Sequence, residues 1–137
     1  MNSTNTIAAI STAYGRSGIG IIRVSGDNVL KIINVFIQKN LLPRVATNTL
    51  IYDVNNEPID DVIAIYYKSP SSYTGEDMLE IQCHGNPIIL DNILSMYFLY
   101  SSRVVAPIVR SSPRASWGLS MLEASTAPSL APAPTMV

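Results

Sequence analysis

The sequence predicts an α+β fold in which a mixed sheet carries two or more helices. Short β-rich runs recur along the first hundred residues, two segments place apolar residues at helical spacing, and Gly, Pro and Asn residues separate them. With 137 residues and a hydrophobic content of 47%, the chain can build one core of ordinary size. We therefore expect one domain over residues 1–100. Residues 101–137 hold five of the nine prolines without sustained periodicity, and we expect an aberrant or disordered tail there.

The first two strands are predicted from short apolar runs. Thr6–Ile10 is typical of a buried strand, and Ile19–Ser25 is rich in β-branched residues. The loop between them contains Gly15 and Gly18, and Gly20 follows just inside the second run. This spacing differs from the dinucleotide-binding fingerprint, and it precedes a strand instead of opening a helix. We therefore disfavour a phosphate cradle, while an ordinary loop and a ligand-lining loop stay equally open.

A helix is predicted directly after the second strand. Gly26, Asp27 and Asn28 supply residues that favour a helix start. The apolar residues that follow have helical spacing: Val29, Leu30, Ile32, Ile33, Phe36 and Ile37. We expect this helix to end before Pro43.

The middle of the chain predicts a hairpin. Thr49–Val54 and Asp61–Tyr67 are β-rich, and the residues Asn55–Pro58 between them suit a loop longer than the tight two-residue turn. Asp60 and Asp61 are expected at the rim of this hairpin.

A third β-rich region and a second helix follow. In Met78–His84, Leu79, Ile81 and Cys83 alternate with Glu80, Gln82 and His84, which predicts a strand with one apolar and one polar face. The segment after Gly85 and Asn86 begins with Pro87, which is tolerated in the first turn of a helix. The apolar positions of this helix are Ile88, Leu90, Ile93 and Leu94.

Arg23 and Glu80 are the two candidate functional residues. On strand alternation Arg23 shares a face with Ile19 and Ile21, so its guanidinium needs a partner or a ligand. A structural salt bridge, with Glu80 as one possible partner, is the favoured interpretation of Arg23 alone. The Glu80 carboxylate can accept two parallel N–H bonds from an amino-pyrimidine, but a solvent-facing strand side is the favoured interpretation of Glu80 alone.

Several classes of function are disfavoured. Cys83 and His84 are adjacent on a strand and should point to opposite faces, which argues against a thiol enzyme. One histidine and one cysteine give no metal-binding pattern and no internal disulfide. The formal net charge of -1 gives no electrostatic footprint for direct tRNA binding.

The sequence shows no signal-peptide pattern and no apolar run long enough for a membrane span, so we expect a cytoplasmic protein, or a mitochondrial or plastid one in a eukaryote.

Four separated blocks together resemble the N-terminal domain of the MnmE (TrmE) family of tRNA modification GTPases. The resemblance covers about residues 5 to 96, and the blocks occur in the family's order and spacing. They are TIAAI at Thr6–Ile10, GRSGIGIIRVSG at Gly15–Gly26, LPR at Leu42–Arg44 and SYTGEDMLEIQCHG at Ser72–Gly85.

The resemblance implies a folate-binding fold similar to the aminomethyltransferases, a homodimer, and a one-carbon donor as ligand. The donor is 5-formyl-tetrahydrofolate or 5,10-methylene-tetrahydrofolate, and Arg23 and Glu80 match the family's folate contacts residue by residue. Full-length members use GTP and potassium. They act with the FAD-dependent partner MnmG to place a carboxymethylaminomethyl-type group on the wobble uridine of certain tRNAs. No Walker A motif occurs here, so we expect no GTP hydrolysis by this chain alone.

The chain departs from the family pattern after about residue 96. The family continues with a strand, a Pro-Gly-Glu-Phe-Thr/Ser block and a lysine that also contacts folate, and we expect all three to be missing here. Arg110–Arg114 can be encoded by CGG AGT TCA CCA AGA, which reads Glu-Phe-Thr-Lys in another frame. We therefore expect a truncation or frameshift. A dimerising remnant without ligand stays open as the alternative function, and a stand-alone one-carbon transferase is a weaker one.

Overall fold

A six-stranded mixed sheet forms the frame of the domain in a computed structural model, which describes residues 6–98 and 103–105. The strand order is β3-β4-β5-β2-β1-β6, and only the pair β1 and β6 is parallel. The α+β class is confirmed. The strands are β1 Ile7–Ile10, β2 Ile19–Ser25, β3 Thr47–Tyr52, β4 Pro58–Tyr67, β5 Met78–His84 and β6 Arg103–Val105.

The hairpin of β3 and β4 is confirmed, but its predicted boundaries are wrong. β3 begins at Thr47 and β4 at Pro58, both earlier than the β-rich runs predicted. The connecting loop is organised by Asp53, whose Oδ1 accepts hydrogen bonds from the backbone N–H groups of Asn55 and Glu57 at 2.8 and 2.9 Å. This side-chain turn brings Pro58 opposite Tyr52, so β4 begins closer to the loop than residue propensity indicates, while β3 ends before Val54.

One strand lies beyond the predicted domain boundary. Arg103–Val105 pairs in parallel with Ile7–Ala9 at the edge of the sheet. The expectation that no strand follows the second helix is therefore wrong. The Pro-Gly-Glu-Phe block, the lysine and the proposed frameshift at Arg110–Arg114 fall outside the described residues, and the division of the chain at residue 100 stays a prediction.

Two helical segments cover one face of the sheet. The first consists of α1, Val29–Ile32, which continues into a π-helical turn, Ile33–Ile37, and ends before Pro43 as predicted. Asn28 occupies the N-cap position without a side-chain capping bond, and the Thr6 hydroxyl instead accepts from its backbone N–H. Among the described residues, no helix has the length and apolar character that crossing a membrane requires.

The second helix, α2, spans Pro87–Tyr97 with proline in its first turn, and the Asn86 side chain accepts from the Ile88 N–H at 3.0 Å. Leu30 and Ile88 belong to the apolar positions from which the two helices are predicted, but both side chains are exposed. Around the helix axis, each of these two residues points away from the side on which the other apolar residues of its helix lie.

The core lies between the helices and the sheet. Ile22 and Val24 of β2 and Leu79 and Ile81 of β5 are fully buried against the helices. Phe36 and Tyr97 join the two helical segments through an edge-to-face contact with ring centroids 5.6 Å apart. The alternate residues of the strands point to the other side of the sheet, which we call the open face. It carries Ile7 of β1, Ile19, Ile21 and Arg23 of β2, Leu50 of β3, Ile63 of β4, and Glu80, Gln82 and His84 of β5.

Candidate functional site

Arg23 and Glu80 lie opposite each other at the centre of the open face. The register of β2 and β5 pairs the two residues directly, and Nε of Arg23 donates to Oε2 of Glu80 at 2.9 Å. The salt bridge favoured for Arg23 from the sequence is therefore present. It forms because strand alternation places both side chains on one face and the register places them side by side.

The two halves of this ion pair differ in exposure. The Glu80 side chain is 8% exposed, so the solvent-facing strand side favoured for Glu80 alone is wrong, whereas the Arg23 side chain is 42% exposed. Oε1 of Glu80 accepts from Nε2 of Gln82 at 3.1 Å, so each carboxylate oxygen has one donor and capacity for another. Within the described ranges, the terminal Nη groups of Arg23 have no hydrogen-bond acceptor. The pair therefore offers both acceptors and donors to a ligand.

Tyr73 extends the site with an aromatic ring. Cζ of Arg23 lies 6.0 Å from the centroid of this ring, and Tyr73 is 86% exposed. Sequence reasoning missed this residue, although it belongs to the Ser72–Gly85 block. An exposed ring beside a guanidinium is a surface on which a flat heterocycle can stack.

The loop 69–77 that carries Tyr73 is tied to the sheet by side chains. The Ser25 hydroxyl donates to Oε2 of Glu76 at 2.9 Å and lies 2.6 Å from the Thr74 hydroxyl. Oδ1 of Asp77, the last residue of the loop, accepts from the Tyr66 hydroxyl and from the N–H of Ser69, the first residue of the loop. These bonds fix the loop beside Arg23.

Cys83 and His84 point to opposite faces, as predicted. Cys83 is buried in the core and donates to the Gly20 carbonyl at 3.3 Å. Burial raises the pKa of the Cys83 thiol to about 11, which disfavours the reactive thiolate. His84 lies on the open face and pairs with Asp60, beside a shallow cavity of about 240 Å³. The described residues include no group of three or more acids, cysteines or histidines that could hold a metal ion.

The glycines near the start of β2 allow close packing. A Cβ atom on Gly20 would lie 2.7 Å from Cδ2 of Leu90 in α2. Gly85 lies against the loop before β2, because the Ser17 N–H donates to the Gly85 carbonyl at 2.9 Å. These contacts fit the interpretation that the glycines let another part of the chain come close.

Comparison with known proteins agrees with this architecture. A sequence model of the family described as "GTP-binding protein TrmE N-terminus" matches residues 6–107. The chain is 47% identical over 104 residues to the tRNA modification GTPase MnmE of Francisella philomiragia, a match that covers 76% of this chain and 23% of that protein. It is 44% identical over 103 residues to the MnmE of Aquifex aeolicus, covering 74% and 23% respectively.

The match is thus confined to one part of much longer proteins, and the chain spans about a quarter of the length of these relatives. The family match covers well over half of the chain and includes both candidate residues, Arg23 and Glu80. The chain therefore belongs to the TrmE N-terminal family, as an N-terminal domain of the tRNA modification GTPase MnmE.

Proposed function

We propose that this domain binds a reduced folate through Arg23 and Glu80 on the open face. The observation that carries the proposal is the ion pair itself. Its carboxylate is almost buried yet can accept further hydrogen bonds, its guanidinium keeps free donors, and an exposed aromatic ring lies beside it. The ligand in this proposal is 5-formyl-tetrahydrofolate or 5,10-methylene-tetrahydrofolate, on a fold similar to the aminomethyltransferases.

The chemistry of these side chains fits a pterin. Glu80 would accept hydrogen bonds from the amino-pyrimidine edge, as a carboxylate does from arginine. The Nη groups of Arg23 would donate to a carbonyl or carboxylate oxygen of the folate. Tyr73 would supply a face for stacking. The bound folate would supply a one-carbon unit, while the residues of this chain bind and orient it.

Calorimetric titration of the purified chain with 5-formyl-tetrahydrofolate tests the proposal. We expect saturable binding with one site per chain. p-Aminobenzoylglutamate, which has the tail of folate without the pterin, should bind much more weakly because it lacks the group that Glu80 recognises. If a chain shown to be folded does not bind the folate, the remaining candidate is a dimerising remnant without ligand.

We also propose that the domain forms a homodimer through the open face. Ile7, Ile19, Leu50 and Ile63 come from four different strands and are all exposed on this face. Replacing Ile63 with lysine should place a charge in that surface and shift the chain to a monomer in sedimentation equilibrium. Leu30→Lys is the matched control, since Leu30 is equally apolar and exposed but belongs to α1 on the other side. A monomeric wild-type chain would contradict this part of the proposal.

In a full-length protein the domain would serve tRNA modification. The relatives are named as tRNA modification GTPases, and we propose that this domain holds their one-carbon donor during wobble-uridine modification. GTP, potassium, the FAD-dependent partner MnmG and the tRNA would act through other parts of such a protein. We propose the cytoplasm, or a mitochondrion or plastid, as the site of action.

A further inference from the structure

The Ser25 hydroxyl connects β2 to the loop 69–77. Ser25 follows Arg23 by two residues on this strand, so both side chains lie on the same face of it. Oγ of Ser25 donates to Oε2 of Glu76 at 2.9 Å and lies 2.6 Å from Oγ1 of Thr74. One hydroxyl group therefore makes both side-chain hydrogen bonds between β2 and the outer part of the loop, residues 72–76.

The direction of each hydrogen bond in this cluster follows from the chemistry of the groups. An ionised carboxylate can only accept, so the single proton of the Ser25 hydroxyl points to Glu76. The Thr74 hydroxyl must then donate to Oγ of Ser25. Oγ1 of Thr74 in turn accepts from the backbone N–H of Glu76 at 3.4 Å. The three residues thus form a closed ring of hydrogen bonds directly after Tyr73.

The base of the loop is held without Ser25. Oδ1 of Asp77 accepts from the Ser69 N–H at 2.8 Å, and the Ser69 hydroxyl donates to the Gly75 carbonyl at 3.0 Å. The Gly26 N–H donates to the Asp77 carbonyl at 3.0 Å. These bonds shape the loop and fix its base, but they do not join Thr74 to β2. Loss of the Ser25 hydroxyl should therefore free the outer part of the loop while the sheet keeps its structure.

Tyr73 depends on this attachment for its place beside Arg23. Its ring is 86% exposed, and within the described ranges it makes no hydrogen bond of its own. The ring faces the Arg23 guanidinium, with Cζ 6.0 Å from the ring centroid. Cation–π contacts at such exposed positions are weak, so this contact alone does not hold the ring. The ring takes its position from the backbone of Thr74, which Ser25 holds.

We propose that Ser25 is a positioning residue of the folate site, whose hydroxyl holds the loop so that Tyr73 is ready to stack on the amino-pyrimidine ring. For the ligand, though not for the place of the ring in the free domain, the inference rests on the proposed function. A side chain that is ordered before binding loses less conformational entropy when the ligand arrives. Folate affinity should therefore depend on a hydroxyl that acts through Tyr73.

Calorimetric titration with 5-formyl-tetrahydrofolate measures this dependence. Ser25→Ala should weaken binding about fivefold, the effect of one side chain that must be ordered on binding. Ser25→Thr keeps the hydroxyl on a side chain that suits a strand, and it should restore most of the affinity. Ser95→Ala is the matched control, since this hydroxyl bonds only to the Asp91 carbonyl within α2, and it should bind as the wild type does.

A double-mutant cycle separates positioning from a general effect on the fold. In the Tyr73→Ala background, Ser25→Ala should cause no further loss of affinity, because no ring remains to be positioned. An equal loss with and without the Tyr73 ring would overturn the proposal.

NMR of the free chain tests the position of the ring without any folate. We expect nuclear Overhauser contacts between the Tyr73 ring and the Arg23 side chain in the wild type and in Ser25→Thr, and their loss in Ser25→Ala. Contacts of full strength in Ser25→Ala would overturn the proposal. If that variant does not fold, Thr74→Val removes the other hydroxyl of the same bond at an exposed position and should weaken the same contacts.

Failure of this inference is distinct from failure of folate binding. A wild-type chain that binds folate, with a Ser25→Ala variant that binds it equally well, would contradict only the role of Ser25. A wild-type chain that shows the Tyr73 to Arg23 contacts but binds no folate would contradict the proposed function, and the NMR comparison would still decide whether Ser25 positions the ring.

Discussion

Gly85→Ala is expected to lower the free energy of unfolding by about 3 kcal/mol, at the upper end of the range for overpacking a close contact. A Cβ atom on Gly85 would clash with Oγ and the carbonyl oxygen of Ser17 and would lie 2.6 Å from the Ser17 carbonyl carbon. Two of these three atoms belong to the backbone, so a rotamer change cannot relieve the clash. The loop would have to move away from the start of α2 and break the Ser17 to Gly85 hydrogen bond.

Urea denaturation of Gly85→Ala beside Gly18→Ala measures this effect. Gly18 lies in the same loop, and a Cβ atom there would meet nothing within 4 Å. Its replacement should change the free energy of unfolding by less than about 1 kcal/mol, and it can stabilise the chain by restricting the unfolded state. Similar losses for the two variants would show that general loop flexibility, and not the Ser17 contact, explains the glycine at position 85.

The parts of the fold that depend on local pattern could be predicted from the sequence. β2 and β5 have the predicted bounds because each alternates between apolar and polar or exposed positions over seven residues. The same alternation placed Arg23 and Glu80 on strand faces where an unpaired charge is costly. The pairing of Arg23 with Glu80 also depends on the register between β2 and β5. These two strands are far apart in the chain, so the local sequence pattern does not specify their register.

The elements that were missed depend on distant contacts. β6 is three residues long, and its pairing partner is β1 at the opposite end of the domain sequence. No local periodicity can reveal so short a strand. Tyr73 lies beside Arg23 only because hydrogen bonds to Ser25 and Asp77 hold its loop, and Asp60 reaches His84 only through tertiary structure. In each case the determining interaction joins residues that are not neighbours in sequence.

Loss of folate binding in Glu80→Gln and Arg23→Gln is the second large effect we expect. Each change should weaken 5-formyl-tetrahydrofolate binding about 100-fold, or about 2.7 kcal/mol, because each removes charge-assisted hydrogen bonds to the ligand. The double variant should lose little more than either single one, since the two side chains act as one unit. Glu57→Gln and Lys31→Gln are charge-matched controls at exposed positions away from the pair, and they should bind as the wild type does.

The same variants separate a binding role from a structural one. Arg23 is 42% exposed, so solvent screens its interaction with Glu80, and the ion pair should contribute at most about 1 kcal/mol to the free energy of unfolding. Glutamine at position 80 preserves the shape of the side chain, and the amide of Gln82 can rotate to match it. We therefore expect a large loss of affinity with a small loss of stability in urea denaturation. The reverse result, normal folate binding in a strongly destabilised chain, would mean that the Arg23–Glu80 pair only joins β2 to β5.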